Sequence, residues 1–246
     1  TLIPALTSNN GGDTGGTNSI SLVFLTTHGS RVTDQRITID GLSANSAEGA
    51  GQYSAYTPNI GSSQEMAVDY AGGTAEMETG GVRVNVIPKE GGNTFRGAVF
   101  VGGTTGALQG SNHTDALKAR GLPAPIEIIK LWDYNPGFGG PILKDKLWFY
   151  TALRYNGEET YGGGYANANV GNPARWDYVA DTNHRTRIWH EQHSANIRGT
   201  WQASPKHKVS AFYDNQWRCV CPRALAANEA PESATEYHYP WAHVQS

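Results

Sequence analysis

From Ser194 to Ala203 the chain alternates without a break. Ala195, Ile197, Gly199, Trp201 and Ala203 are apolar or small, and Ser194, Asn196, Arg198, Thr200 and Gln202 are polar. Successive side chains of a β-strand point to opposite faces, so this run predicts a strand that is greasy on one side and wet on the other. Lys208–Arg218 repeats the pattern, with Val209, Ala211, Tyr213 and Trp217 against Lys208, Ser210, Asp214, Gln216 and Arg218; Phe212 is an exception. Leu147–Glu158 does so again, setting Leu147, Phe149, Leu153 and Tyr155 against Arg154, Asn156 and Glu158. Runs of about ten residues have the length of a tilted strand crossing a bilayer.

The links carry a second pattern. Strands are predicted over 95–103, 132–142, 147–158, 189–203 and 208–219, so the connections 104–131 and 159–188 are long and 143–146 and 204–207 short. Long and short links in alternation put the long loops at one end, as in a membrane barrel, whereas a soluble sandwich has no reason to sort them. Before residue 95 the pattern is different. A Gly/Asn/Ser-rich loop at 8–19 precedes strand-like runs at Ser21–Leu25, Arg36–Asp40, Glu65–Tyr70 and Val82–Ile87, with a small-residue loop at 43–63 and a helical turn expected at 74–79. This first part reads as a compact mixed α+β unit.

Composition agrees with an extensive sheet: Gly 30, Tyr 12 and Trp 7 against Cys 2 and Met 2. A mean hydropathy of -0.48 excludes a helical membrane protein but not a barrel, which meets lipid with every second residue only. Net charge -3 and the lack of a Lys/Arg run argue against a nucleic-acid partner. Thr1 opens without a charged leader or an initiator Met, so no signal peptide is expected within the chain. Cys219 and Cys221 lack the second pair that a zinc site requires, and a bridge two residues apart is expected to be strained; they read as incidental thiols or a local redox pair.

Three motifs then carry a resemblance. Asp40-Gly41-Leu42-Ser43-Ala44-Asn45 resembles the D-G-x-x-x-N stretch of TonB-dependent receptor plugs. The passage from Gly80 to Gly97, which includes Asn85, Lys89 and Gly91-Gly92-Asn93, is similar to the segment joining plug to barrel in that family, with Pro88 where the family usually has Thr. Gly139-Gly140-Pro141-Ile142 followed by Lys144-Asp145-Lys146 and Leu147–Tyr150 resembles the G-G-P-I-x-K-D-K-x-F-F hairpin of its Oar-like branch, whose members usually carry a carboxypeptidase-regulatory-like domain ahead of the plug. The resemblance implies a mainly β chain: an α+β plug domain over 1–94, then antiparallel strands of a transmembrane β-barrel over 95–246, truncated because such barrels have 22 strands and this chain supplies about five. It also implies an outer-membrane location, energy-coupled passage of a large solute, no covalent catalysis and no cofactor. The implied partners are a TonB-type periplasmic protein, whose binding segment is absent here, the solute, and outer-membrane lipid. Trp148 and Phe149 would suit an interfacial girdle, and Pro136 is tolerable only at an edge or bulge.

Candidate sites are segments more than residues. Plug loops 9–18 and 43–58, with Asn45, Gln52, Tyr53 and Tyr56, are expected to face substrate through the resemblance, and the aromatic excursion 159–188, with Tyr161, Tyr165, Trp176 and Tyr178, to stack on a ligand. His184, His190, Glu191 and His193 invite a metal reading, but strand geometry sends His190 and His193 to opposite faces, so no metal site is expected there. Asp13 lacks the regular acidic spacing of a calcium loop. No nucleophile elbow, phosphate loop or carboxylate pair appears, which leaves a hydrolase unsupported. The alternative is a soluble glycan-binding β-sandwich, in which the apolar faces pack on each other.

Overall fold

The computed structural model describes residues 6–8, 24–45, 56–71, 79–121, 127–223 and 231–246. Over these residues the chain is mainly β, with one short helix. Leu6–Ser8 (β1) pairs with Leu25–Thr27 (β2). Arg36–Ile39 (β3), Leu42–Ser43 (β4), Ser63–Asp69 (β5) and Arg83–Pro88 (β6) form a four-stranded sheet in the order β4-β3-β6-β5, in which β3 and β6 are parallel. Arg96–Thr105 (β7), Glu127–Leu143 (β8), Leu147–Asn167 (β9), Ala180–Ser204 (β10), His207–Arg223 (β11) and Thr235–Gln245 (β12) form an antiparallel meander, each strand beside its sequence neighbour. Asp115–Ala119 (α1) lies in the link between β7 and β8, capped by Thr114, whose side chain accepts a hydrogen bond from the Leu117 amide. No helix among the described residues is long and apolar enough to cross a membrane, which does not bear on strands. The six-stranded sheet is open, with β7 and β12 as its edges.

The two faces of the meander meet opposite fates. Asn156, Gln192, Asn196, Thr200, Asp214 and Gln216 are buried, while Val99, Val101, Leu153, Ile197, Trp201 and Val209 on the opposite face are more than half exposed or close to it, from 47% at Ile197 to 72% at Val99. The polar face is covered by the four-stranded unit. Asn135 Nδ2 donates to Asn59 Oδ1 at 2.7 Å, Asn196 Nδ2 to Ser62 Oγ at 3.1 Å and Tyr150 Oη to the Gly61 carbonyl at 3.1 Å; Gln216 exchanges two bonds with the Thr57 backbone. Phe212, the break in its strand's alternation, joins Leu6, Ile39, Ala44, Tyr56, Val82, Val84 and Val86 in one apolar cluster, with Trp241 packed against it. The exception is therefore a core residue contributed by the large sheet to the small one. Among the described residues the apolar face of the six-stranded sheet packs on no other apolar face, unlike the arrangement that the sandwich alternative expects.

Several expectations are corrected. The excursion 159–188 is mostly strand: β9 runs to Asn167 and β10 starts at Ala180, leaving a tip of 168–179. Alternation fades there because pairing rests on backbone bonds and cross-strand charge (Lys130 and Arg187 with Glu159, Arg185 with Glu127) and not on a greasy face. β12 was not foreseen; its Pro240 lacks a donor, which is harmless on an edge strand. Pro136, expected at an edge or bulge, lies in an interior strand, and the ladder to β9 skips Asn135 and Pro136. Trp148 faces the covered side, where its Nε1 donates to Asn93 Oδ1, so only Phe149 turns outward. Of the strand expected at Ser21–Leu25 only Leu25 belongs to β2 and Phe24 lies outside it, while 21–23 and most of the helical turn at 74–79 lie outside the described residues.

The joint between the sheets is closed by backbone proximity. Asn93 Oδ1 also accepts from the Asp145 amide at 2.9 Å, and its Nδ2 donates to Asp145 Oδ1 at 2.6 Å, so the turn after β6 grips the β8–β9 turn. A Cβ at Gly91 would collide with the Phe149 backbone. Gly91→Ala is therefore expected to destabilise the protein by about 1–3 kcal/mol. Guanidinium unfolding followed by tryptophan fluorescence measures it, and an unchanged midpoint would contradict this packing.

Candidate functional site: the polar seam between the sheets

The seam is built from motif residues that the sequence spaces far apart. Asp40 and Gly41 both adopt positive φ (47° and 84°), the left-handed turn that only a small or Asx residue enters cheaply. That turn leaves β3 and presents the Asp40 carboxylate to the six-stranded sheet. Asn85 on β6 fixes it from below, its Oδ1 accepting from Thr38 Oγ1 at 2.8 Å and from the Gly41 amide at 2.9 Å. Arg198, on the polar face of β10, reaches across: Nη1 donates to Asp40 Oδ2 at 2.5 Å and Nη2 to Glu90 Oε1 at 3.1 Å. Lys208 Nζ holds the other Glu90 oxygen at 2.7 Å.

One guanidinium thus ties the end of β3 and the segment after β6 to the six-stranded sheet. Its side chain is 9% exposed, whereas those of Asp40 and Glu90 are 24% and 39% exposed. A planar fork can serve two carboxylates at once, which a lysine ammonium does less well. Lys89 completes the seam, donating to the Gly61 carbonyl at 2.9 Å with its ammonium 5.6 Å from the Tyr150 ring centre. Asp40, Lys89 and Glu90 lie within the recognised motifs, but Arg198 had no signal beyond being a polar residue on an alternating strand.

Of the sequence-predicted ligand residues that the structure describes, Tyr165 and Tyr178 meet, while Asn45 and Tyr56 lie in the small unit with partners of their own. Asn45 spends its side chain on the backbone, accepting from the Ile37 amide at 2.7 Å. Tyr56 is buried at 2% exposure, 4.7 Å from the Trp241 ring, and burial together with the Asp214 carboxylate holds its phenol well above the usual range. Gln52 and Tyr53, like loop 9–18, lie outside the described residues. At the far end of the long strands, Tyr178 Oη donates to the Tyr165 carbonyl at 3.0 Å, Arg185 sits 5.0 Å over the Tyr161 ring, and Trp176 is 94% exposed. His190 faces the covered side and bonds Glu158 at 2.7 Å, while His193 lies on the open face among rings.

Those rings form a continuous line across five strands. Trp132, Tyr155, His193, Trp217 and His238 follow one another at centroid separations of 5.7, 4.6, 5.3 and 5.4 Å, with Tyr134 beside Tyr155 at 6.4 Å. Below the line the open face is apolar apart from Asn215 and Thr151; above it come Lys130, Glu159, Arg187 and Glu191.

Arg198→Ala is expected to cost about 2–3 kcal/mol, less than a fully buried pair because both carboxylates reach water. A double-mutant cycle with Asp40→Ala should return a coupling of about 1 kcal/mol or more in denaturant unfolding, and additive effects would deny the pair.

No family model matches the chain. Over 128 residues, 51% of this chain, it is 32% identical to the TonB-dependent transporter Oar of Myxococcus xanthus, and the match spans 12% of that protein's length.

Proposed function

We propose that the chain is the later part of a plug, residues 1–94, and the first wall strands, residues 95–246, of a TonB-dependent outer-membrane transporter that gates passage of a large solute. The observation that carries this reading is the inverted burial of the six-stranded sheet: polar inward, apolar outward and bare. In water such a face costs about 25 cal/mol per Å² of exposed apolar surface; in hydrocarbon it costs nothing. On β10 the apolar row from Ala195 to Ala203 covers nine residues, which is about 30 Å along a strand and roughly 20 Å of height at a 45° tilt, close to a bilayer's apolar band. The line of rings sits where that row ends, as amphipathic rings do at an interface. The similarity to Oar supports the same reading.

In this mechanism the four-stranded sheet stoppers the lumen, and the Arg198 seam and the Asn59–Asn135 bond hold it to the wall. A periplasmic TonB-type protein supplies the pull that releases it. The strand extensions beyond the rings rise outside the membrane and present Trp176 and Tyr178 to the solute. No step makes or breaks a covalent bond.

Spin labels test the membrane reading. A label at Ile197→Cys should be relaxed by oxygen dissolved in lipid, and one at Asn196→Cys should not; relaxation of both by a water-soluble agent would refute it. Planar-bilayer conductance tests gating. The full-length transporter, with its barrel closed, should be non-conducting at rest and open in urea that melts the small sheet, and an Asn59→Cys/Asn135→Cys tether should keep it closed until reductant is added. A tether without effect counts against a gated plug.

A further inference from the structure

We infer that Cys219, Cys221 and His238 form a redox-gated site for a soft, thiolate-preferring cation such as Cu(I), on the open face at the upper rim of the ring line. The three residues offer ligand atoms that lie within 4.8 Å of one another. Residues two apart on one strand share a face, so β11 presents both sulfurs together. His238 is the direct cross-strand partner of Cys219, which places the imidazole beside the first sulfur. Both cysteines are buried, at 2% and 0% exposure, whereas the side chain of His238 is 48% exposed, so the cluster has an open side for an ion to enter.

The surroundings are those of a supported site. Trp217 stacks on His238 with ring centres 5.4 Å apart and planes 28° apart, holding the imidazole. Glu236 Oε2 lies 3.5 Å from His238 Nε2, so a carboxylate stands beside that ring nitrogen, the place such partners take at metal-binding histidines, and Nδ1 is left for the ion. Two thiolates and one imidazole suit Cu(I), which accepts low coordination and prefers soft sulfur; zinc would need a fourth ligand.

Here the sulfurs are joined as a disulfide, which leaves them unable to act as thiolates. Two thiols of a reductant open the bridge, becoming a disulfide themselves and delivering two electrons and two protons to Cys219 and Cys221. Binding of Cu(I) then expels both thiol protons. The site is closed when oxidised and open when reduced.

The test uses the purified protein in detergent, reduced with a water-soluble phosphine, desalted without air and titrated with Cu(I) against a chromophoric competitor. One equivalent should bind to the reduced protein and none to the oxidised one. Cys221→Ser should abolish binding, and His238→Ala should weaken it at least roughly tenfold. Should a variant fail to fold, X-ray absorption on the unsubstituted protein decides, since two sulfur and one nitrogen neighbours are expected. A copper shell of nitrogen alone, uptake by the oxidised protein, or affinity indifferent to His238→Ala overturns the proposal. None of these outcomes bears on whether the wall crosses a membrane.

Discussion

A sheet that buries its polar face and bares its apolar one is the constraint from which the rest follows. In water the arrangement is inverted: apolar side chains meet in the interior and polar ones face solvent. Here Asn156 and Asp214 are fully buried while Val99 and Trp201 stand out. Burying polar groups is costly unless they find partners. The inner face meets part of that demand with Asn59, Ser62, Gly61 and Thr57 of the small unit, while both side-chain polar atoms of Asn156 are buried without a partner among the described residues.

The small sheet is held by two kinds of contact that differ in how they come apart. Phe212 and Trp241 join its apolar cluster, where separation exposes greasy surface to water. The seam around Arg198 is made of hydrogen bonds and ion pairs, each contributing about 0.5–3 kcal/mol net because water replaces the lost partner. The wall strands, by contrast, are joined by long continuous ladders. A pull on the small sheet would loosen the seam before it unzipped the large sheet, which is the order that the proposed gating needs.

The long strands show how one element can serve two environments. β10 is 25 residues, more than twice the roughly 9–11 that span hydrocarbon. Its later half is patterned by lipid-like alternation and its earlier half by charge pairs such as Arg185 with Glu127. The chain does not change conformation between them, because backbone pairing is indifferent to what the side chains face. Only the pattern changes.

That indifference also divides what was legible in advance. Strict alternation at Ser194–Ala203 identified the strand and its two faces, and the short links at 143–146 and 204–207 located the tight turns, because period and turn chemistry are local. The motif glycines and Asn93 marked the joint. Where strands run through Gly162 and Gly164 or through Pro240, local pattern is silent and neighbouring strands supply the order. Which row of side chains would be covered, that Arg198 would reach Asp40 across 158 positions, and that His238 would stand beside Cys219 were decided by tertiary structure alone. Alternation specifies two faces, but only the packing of one sheet on another determines which of them meets protein.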